Sequence, residues 1–136
     1  MPHISATKLT PNLIVSDVSA SLAFYEDVLG FSRGMSVPDQ PPFVFASVTS
    51  GPVEIFFNDL AFVGKESPQM KGKTPGGGNT MFVEITGIDA YHDQIKDRVA
   101  IKLPMVTQWY GMREFAIEDP DGYTITFAER VTGEKQ

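Results

Sequence analysis

The chain has 136 residues, a net charge of -6, 42% hydrophobic and 21% charged residues, and no cysteine. This balance suits one globular domain with its own core, and the missing cysteine excludes disulfides, thiolate metal sites and a cysteine nucleophile. The 11 Lys and Arg are scattered among 17 Asp and Glu, which argues against nucleic acid, and no apolar run approaches the roughly 20 residues of a membrane span.

The opening Met1-Pro2-His3-Ile4-Ser5 lacks the basic start and apolar stretch of a signal peptide, so a cytoplasmic location is the expectation. Leu9 to Val15 alternates as a strand. Ser16 or Asp17 caps the helix that follows, in which Val18, Leu22, Tyr25 and Leu29 recur at helical spacing until Gly30 stops it. Strands are expected near Phe31–Val37, Phe43–Thr49 and Val53–Asn58. A stretch rich in Gly, Pro and Lys, Gly64 to Gly78, reads as a hinge or flap. Thr80 to Ile85 is the next strand, Ile88 to Val99 a second helix, and further strands lie near Ile101, Arg113–Glu118 and Tyr123–Ala128. The polar tail from Thr132 to Gln136 is expected to fray.

The second half re-reads the first. Ile14-Val15-Ser16-Asp17-Val18 and Glu84-Ile85-Thr86-Gly87-Ile88 each run into a helix, and Phe45-Ala46 and Phe115-Ala116 each open a later strand, all at an offset of 70. The repeat predicts an α+β domain over residues 1–136: two tandem βαβββ modules forming a curved mixed sheet around a cleft. Module one runs over about 8–60, a linker over about 61–78 and module two over about 79–131. Strand alternation sends Thr10, Asn12, Glu54, Phe56, Thr80, Phe82, Thr124 and Thr126 to the face opposite the apolar set. Gly72-Lys73-Thr74 is no phosphate loop, because Ser67 stands where the pattern needs glycine. No Gly-x-Ser-x-Gly elbow supports serine hydrolysis.

Val15-Ser16-Asp17-Val18-Ser19-Ala20-Ser21-Leu22-Ala23-Phe24-Tyr25, Val28-Leu29-Gly30-Phe31 and Glu118-Asp119-Pro120-Asp121-Gly122-Tyr123 together resemble the vicinal oxygen chelate superfamily, the glyoxalase, bleomycin-resistance and dioxygenase fold. The resemblance implies that fold and four metal-ligand positions on facing strands, which carried over by motif fall on Thr10, Glu54, Thr80 and Thr126. Only Glu54 is a ligand type, since a neutral hydroxyl binds a divalent transition metal poorly. The departure points to the metal-free, bleomycin-resistance-like members, which sequester planar or cationic antibiotics in a dimer groove. Trp109-Tyr110-Gly111-Met112-Arg113-Glu114-Phe115 resembles their Trp-Gly-x-Arg-Glu-Phe stretch, with Tyr110 inserted.

The resemblance therefore implies a metal-independent small-molecule binding protein, a homodimer without cofactor or catalytic residue, whose ligand-binding residues are Asn12, Glu54, Phe56, Phe82, Trp109 and Arg113. The other reading is a divergent metal-dependent lyase, isomerase or dioxygenase of the same superfamily. Plainer roles stand beside these. Glu54 suits a structural ion pair as well as a ligand contact, Trp109 suits the edge of a core, and the threonines are ordinary strand residues. His92 is expected on the solvent side of the second helix.

Overall fold

The computed structural model describes residues 3–131, so the expected frayed tail lies outside the described residues. Each module folds as one four-stranded mixed sheet. Sheet one holds β1 (Asn12–Val15), β2 (Ser32–Val37), β3 (Phe45–Ser50) and β4 (Val53–Asp59) in the order β1-β4-β3-β2. Sheet two holds β5 (Thr80–Glu84), β6 (Ala100–Thr107), β7 (Met112–Glu118) and β8 (Thr124–Arg130) in the order β5-β8-β7-β6. In both, the first and last strands pair in parallel and the others antiparallel. A parallel pair needs a long crossover; here the helix and two intervening strands supply it.

Helix α1 (Val18–Ala23) begins at Asp17, whose carboxylate accepts the Ala20 amide at 3.3 Å. Ser16 does not cap it: its amide donates to the Asp121 carboxylate at 3.2 Å. The expected single helix to Leu29 changes after Ala23 into a wider π-helical turn, Phe24–Val28, which carries the fully buried Tyr25. The linker also departs from expectation. Asp59 accepts the Phe62 amide at 3.1 Å and starts α2 (Leu60–Glu66), and Pro68–Met70 adds a 3-10 turn. The cap chemistry of Asp59 was masked by the glycines and prolines downstream of it. Helix α3 (Ile88–Ile95) continues as a 3-10 turn over Lys96–Arg98.

Register decides which side chains share a face. Asn12 stands opposite Phe56 and Phe82 opposite Thr126, so β1 and β5, and β4 and β8, are related by the same offset of 70. Strands β3 and β7 are not. Ala46 pairs with Phe57 but Phe115 pairs with Phe127, because in pairing register the β7–β8 hairpin is one residue longer, 12 positions from Phe115 to Phe127 against 11 from Ala46 to Phe57. A slip of one residue flips a strand's faces. The match of Phe45-Ala46 to Phe115-Ala116 is therefore one residue out of register: Phe115 is fully buried, whereas Phe45 stacks edge-on against Phe56 at 5.2 Å on the opposite face.

The helix-bearing faces of both sheets meet in one apolar core, with Val15, Leu22, Tyr25, Val48 and Phe57 from module one and Ile88, Ile95, Phe115, Ile125 and Phe127 from module two. Full burial of each such side chain contributes about 1.5–3 kcal/mol. His92 belongs to this packing, not to solvent: its ring meets Phe115 edge-on at 4.9 Å and its side chain is 22% exposed.

A polar staple ties the modules together. Asp119 is buried and accepts the Tyr25 hydroxyl at 2.8 Å and the amides of Asp121 and Tyr123, both at 2.9 Å. Tyr123 in turn donates its hydroxyl to the Ile14 carbonyl at 2.7 Å. Gly76 of the linker lies against this turn, where a Cβ would come within 2.5 Å of the Asp121 carbonyl oxygen and φ is +83°. Only glycine meets both demands.

Candidate functional site: two polar walls and a junction cavity

Sheet one presents Asn12 and Ile14 on β1, Glu54, Phe56 and Asn58 on β4, and Phe45, Ser47 and Thr49 on β3, all on the face away from the shared core. The Asn58 amide donates to the Asn12 side-chain oxygen, which fixes two neighbouring polar groups on this wall. Glu54 is paired with Lys8, at 2.5 Å, from the extended segment that precedes β1. Its carboxylate side chain is 24% exposed and the lysine is 58% exposed. A solvent-accessible pair of this kind contributes little to stability.

Sheet two presents Thr80, Phe82 and Glu84 on β5, Thr124, Thr126 and Ala128 on β8, and Glu114, Ala116 and Glu118 on β7. Phe82 is 53% exposed, unusual for a phenylalanine in a strand, and Trp109, in the β6–β7 turn, is 73% exposed. Trp109 crosses Tyr110 edge-on at 5.2 Å, and the Tyr110 hydroxyl donates to Glu114 at 2.5 Å. That hydrogen bond, more than burial, holds the Tyr110 phenol above its ordinary pKa.

Arg113 is the expected site residue that the structure places elsewhere. It shares its face with Phe115 and Ile117, and its guanidinium binds Asp89 on α3 at 2.8 Å and the Thr107 hydroxyl at 3.0 Å. The next residue, Glu114, takes the wall position instead and is 4% exposed. Alternation around the apolar Phe115 carried the signal that separates these two neighbours.

One of the four carried-over metal positions also shifts. Thr124, not Thr126, stands across from Thr80 and corresponds to Glu54 at the offset of 70, while Thr126 corresponds to Phe56. Either way the set offers one carboxylate and three hydroxyls, and the carboxylate already holds an ammonium group. Among the described residues no group of three or more His, Asp or Glu is placed to hold a metal ion. This donor set does not fit the superfamily's metal.

The walls do not close on each other within the chain, because the faces behind them share the core; Asn12, Thr80, Phe82 and Glu84 remain exposed. A concave space does lie between the modules on the core side. This cavity of about 800 Å³ is bounded by Leu29 and Phe31, by the β3–β4 turn at Ser50, Pro52 and Val53, by the end of β5, and by Tyr91, Phe127 and Arg130. The Tyr91 hydroxyl bridges the modules beside it, donating to the Leu29 carbonyl at 2.7 Å, and burial raises its pKa well above the ordinary value. Sequence reading missed this cavity because its walls come from both modules.

The sequence model of the Glyoxalase/Bleomycin resistance protein/Dioxygenase superfamily matches residues 1–127. The chain is 29% identical to a bleomycin resistance protein of Geobacillus stearothermophilus, over 89% of this chain and 95% of that one. A glyoxalase/bleomycin resistance protein/dioxygenase from Nocardioides superposes with a TM-score of 0.80 at 19% identity, covering 98% of this chain and 89% of the other. The bleomycin-binding protein of bleomycin-producing Streptomyces verticillus, solved with copper(II)-bleomycin, superposes with a TM-score of 0.62 at 24% identity, covering 92% and 97%. Among the described residues no helix is long and apolar enough to cross a membrane.

Proposed function

The chain belongs to the Glyoxalase/Bleomycin resistance protein/Dioxygenase superfamily, and from that premise we propose that it is a metal-independent small-molecule binding protein of the bleomycin-resistance type. The observation that carries this reading is the exposed ring of Phe82 on a wall whose donor set is unfit for a metal, with a second exposed ring, Trp109, in the β6–β7 turn. Aromatic surface left in water on a polar sheet face is suited to a planar ligand. The 29% identity to a bleomycin resistance protein supports the same class.

The groove forms when wall one of one copy faces wall two of a second, which brings Asn12, Glu54 and Phe56 opposite Phe82 and Trp109. Two copies give two equivalent grooves by two-fold symmetry. Arg113, held by Asp89, acts by fixing the β7 and α3 surfaces behind wall two.

Titration of the chain with metal-free bleomycin, followed by Trp109 fluorescence and by sedimentation, tests this. Saturable quenching by a dimer is expected, and Trp109→Ala should weaken binding by about 1–3 kcal/mol, the scale of an aromatic anchor. A monomer that fails to bind, or a Trp109→Ala variant of unchanged affinity, would sink the reading. Stoichiometric metal retained after desalting would return the enzyme reading to first place.

A further inference from the structure

The two junctions between the modules are built on the same plan and finished differently. In a parallel ladder the amide and carbonyl of one residue point to the same side, and successive residues alternate. The Phe56 amide donates to the Pro11 carbonyl at 2.9 Å, so residues 11, 13 and 15 face β4 while Ile14 and Ser16 face the open edge of β1. There the β7–β8 turn supplies what they need: the Tyr123 hydroxyl donates to the Ile14 carbonyl, and the Asp121 carboxylate accepts the Ser16 amide. One phenol and one carboxylate close that edge.

At the offset of 70, Ile14 becomes Glu84 and Ser16 becomes Thr86. The Ile85 amide donates to the Ala128 carbonyl at 2.8 Å, so Glu84 and Thr86 face the open edge of β5. The turn standing opposite them is Ser50-Gly51-Pro52, one residue shorter, and Val53 occupies the place of Tyr123. It brings neither a phenol nor a carboxylate, and the Thr86 amide finds no acceptor among the described residues. The space left is the cavity of about 800 Å³.

We propose that this cavity is a second small-molecule site, separate from the walls and independent of the reading given for them, for an aromatic hydroxy acid. The hydroxyl donates to the Glu84 carbonyl, the carboxylate accepts the Thr86 amide, and the ring lies among Phe31, Val53, Tyr91 and Phe127. The ligand thereby supplies to junction two the groups that Tyr123 and Asp121 supply to junction one. The volume falls in the range of small-molecule sites. The lining holds one cation, Arg130, and two carboxylates: Glu129, engaged by the amides of Gly87 and Ile88 at 3.0 and 2.9 Å, and Glu84, which alternation along β5 assigns to wall two.

The test is an amide-resolved NMR titration of the full chain with 4-hydroxyphenylacetate, with phenylacetate as the control lacking the hydroxyl. Saturable shifts centred on Glu84, Thr86 and Tyr91 are expected, with phenylacetate binding about five- to tenfold more weakly for the loss of one hydrogen bond. Val53→Tyr, which restores the plug of junction one, should weaken binding at least about tenfold by filling the space. If that variant fails to fold, the comparison of the two acids on the unaltered chain still decides. The proposal is overturned by equal affinity for both acids, by shifts confined to Phe82 and Trp109, or by undiminished binding to folded Val53→Tyr. It is overturned equally if a second copy fills the cavity, seen as a Thr86 shift that depends on protein concentration and excludes the acid.

Discussion

Junction one and junction two join the same two modules, yet one is sealed by side chains and the other is open. At the first, Asp119, Asp121 and Tyr123 converge on Tyr25, Ile14 and Ser16. At the second, Ser50-Gly51-Pro52 stands off from β5, and the Tyr91 hydroxyl on the Leu29 carbonyl and the Arg98 guanidinium on the Asp27 carbonyl, at 3.0 Å, span the modules beside it. A turn one residue shorter and a few different side chains are what separate the cavity from the sealed contact. The sealed junction is where cohesion between the modules is concentrated, and the open one is where the chain has room for a ligand.

The largest effect should come from breaking the staple. Asp119→Ala removes the acceptor of the Tyr25 hydroxyl and of two amides at a buried position, at a cost of about 3–5 kcal/mol in a denaturant titration. A loss below about 1 kcal/mol would mean that water replaces the carboxylate and that the junctions differ less than their geometry implies.

Alkaline pH attacks the same contact from the other side. Burial, followed by the charge of Asp119, raises the Tyr25 pKa far above its ordinary 10.0. A group whose folded pKa is raised contributes stability that is full below the unfolded value and lost as pH climbs toward the folded one. Stability should therefore fall above about pH 10, by up to about 1.4 kcal/mol per pH unit from this group. Tyr25→Phe should show a slope shallower by about one proton; an unchanged slope would place the titration elsewhere.

The smallest effect belongs to the open junction. Tyr91→Phe deletes the bridging hydrogen bond to the Leu29 carbonyl and should cost about 1 kcal/mol. A loss as large as that of Asp119→Ala, measured under the same conditions, would erase the asymmetry.

Much of the fold was legible along the chain. The offset of 70, the cap at Asp17, the stop at Gly30 and the alternation in β1, β4, β5 and β8 are local signals, so the two βαβββ modules and most wall positions could be read from them. Where β3 and β7 were aligned by the same offset the reading failed, because one extra residue in a turn is invisible to a periodicity that spans it. Arg113 entered the expected site through the resemblance of the Trp109–Phe115 stretch, which carries no information on strand faces, and the Gly, Pro and Lys content downstream of Asp59 made the helix Leu60–Glu66 read largely as linker.

By itself the sequence determined most of the strands, which face of each is apolar, and that three of the four positions carried over from the superfamily's metal site are threonines. These follow from spacing and side-chain chemistry, which act over a few residues. Only the tertiary structure decided that the modules share one core, so that their walls turn outward, that Glu54 is held by Lys8, and that one junction is plugged while the other is hollow. Those outcomes depend on contacts between groups tens of residues apart, such as the 94 between Tyr25 and Asp119, and no local pattern encodes which distant surfaces will meet.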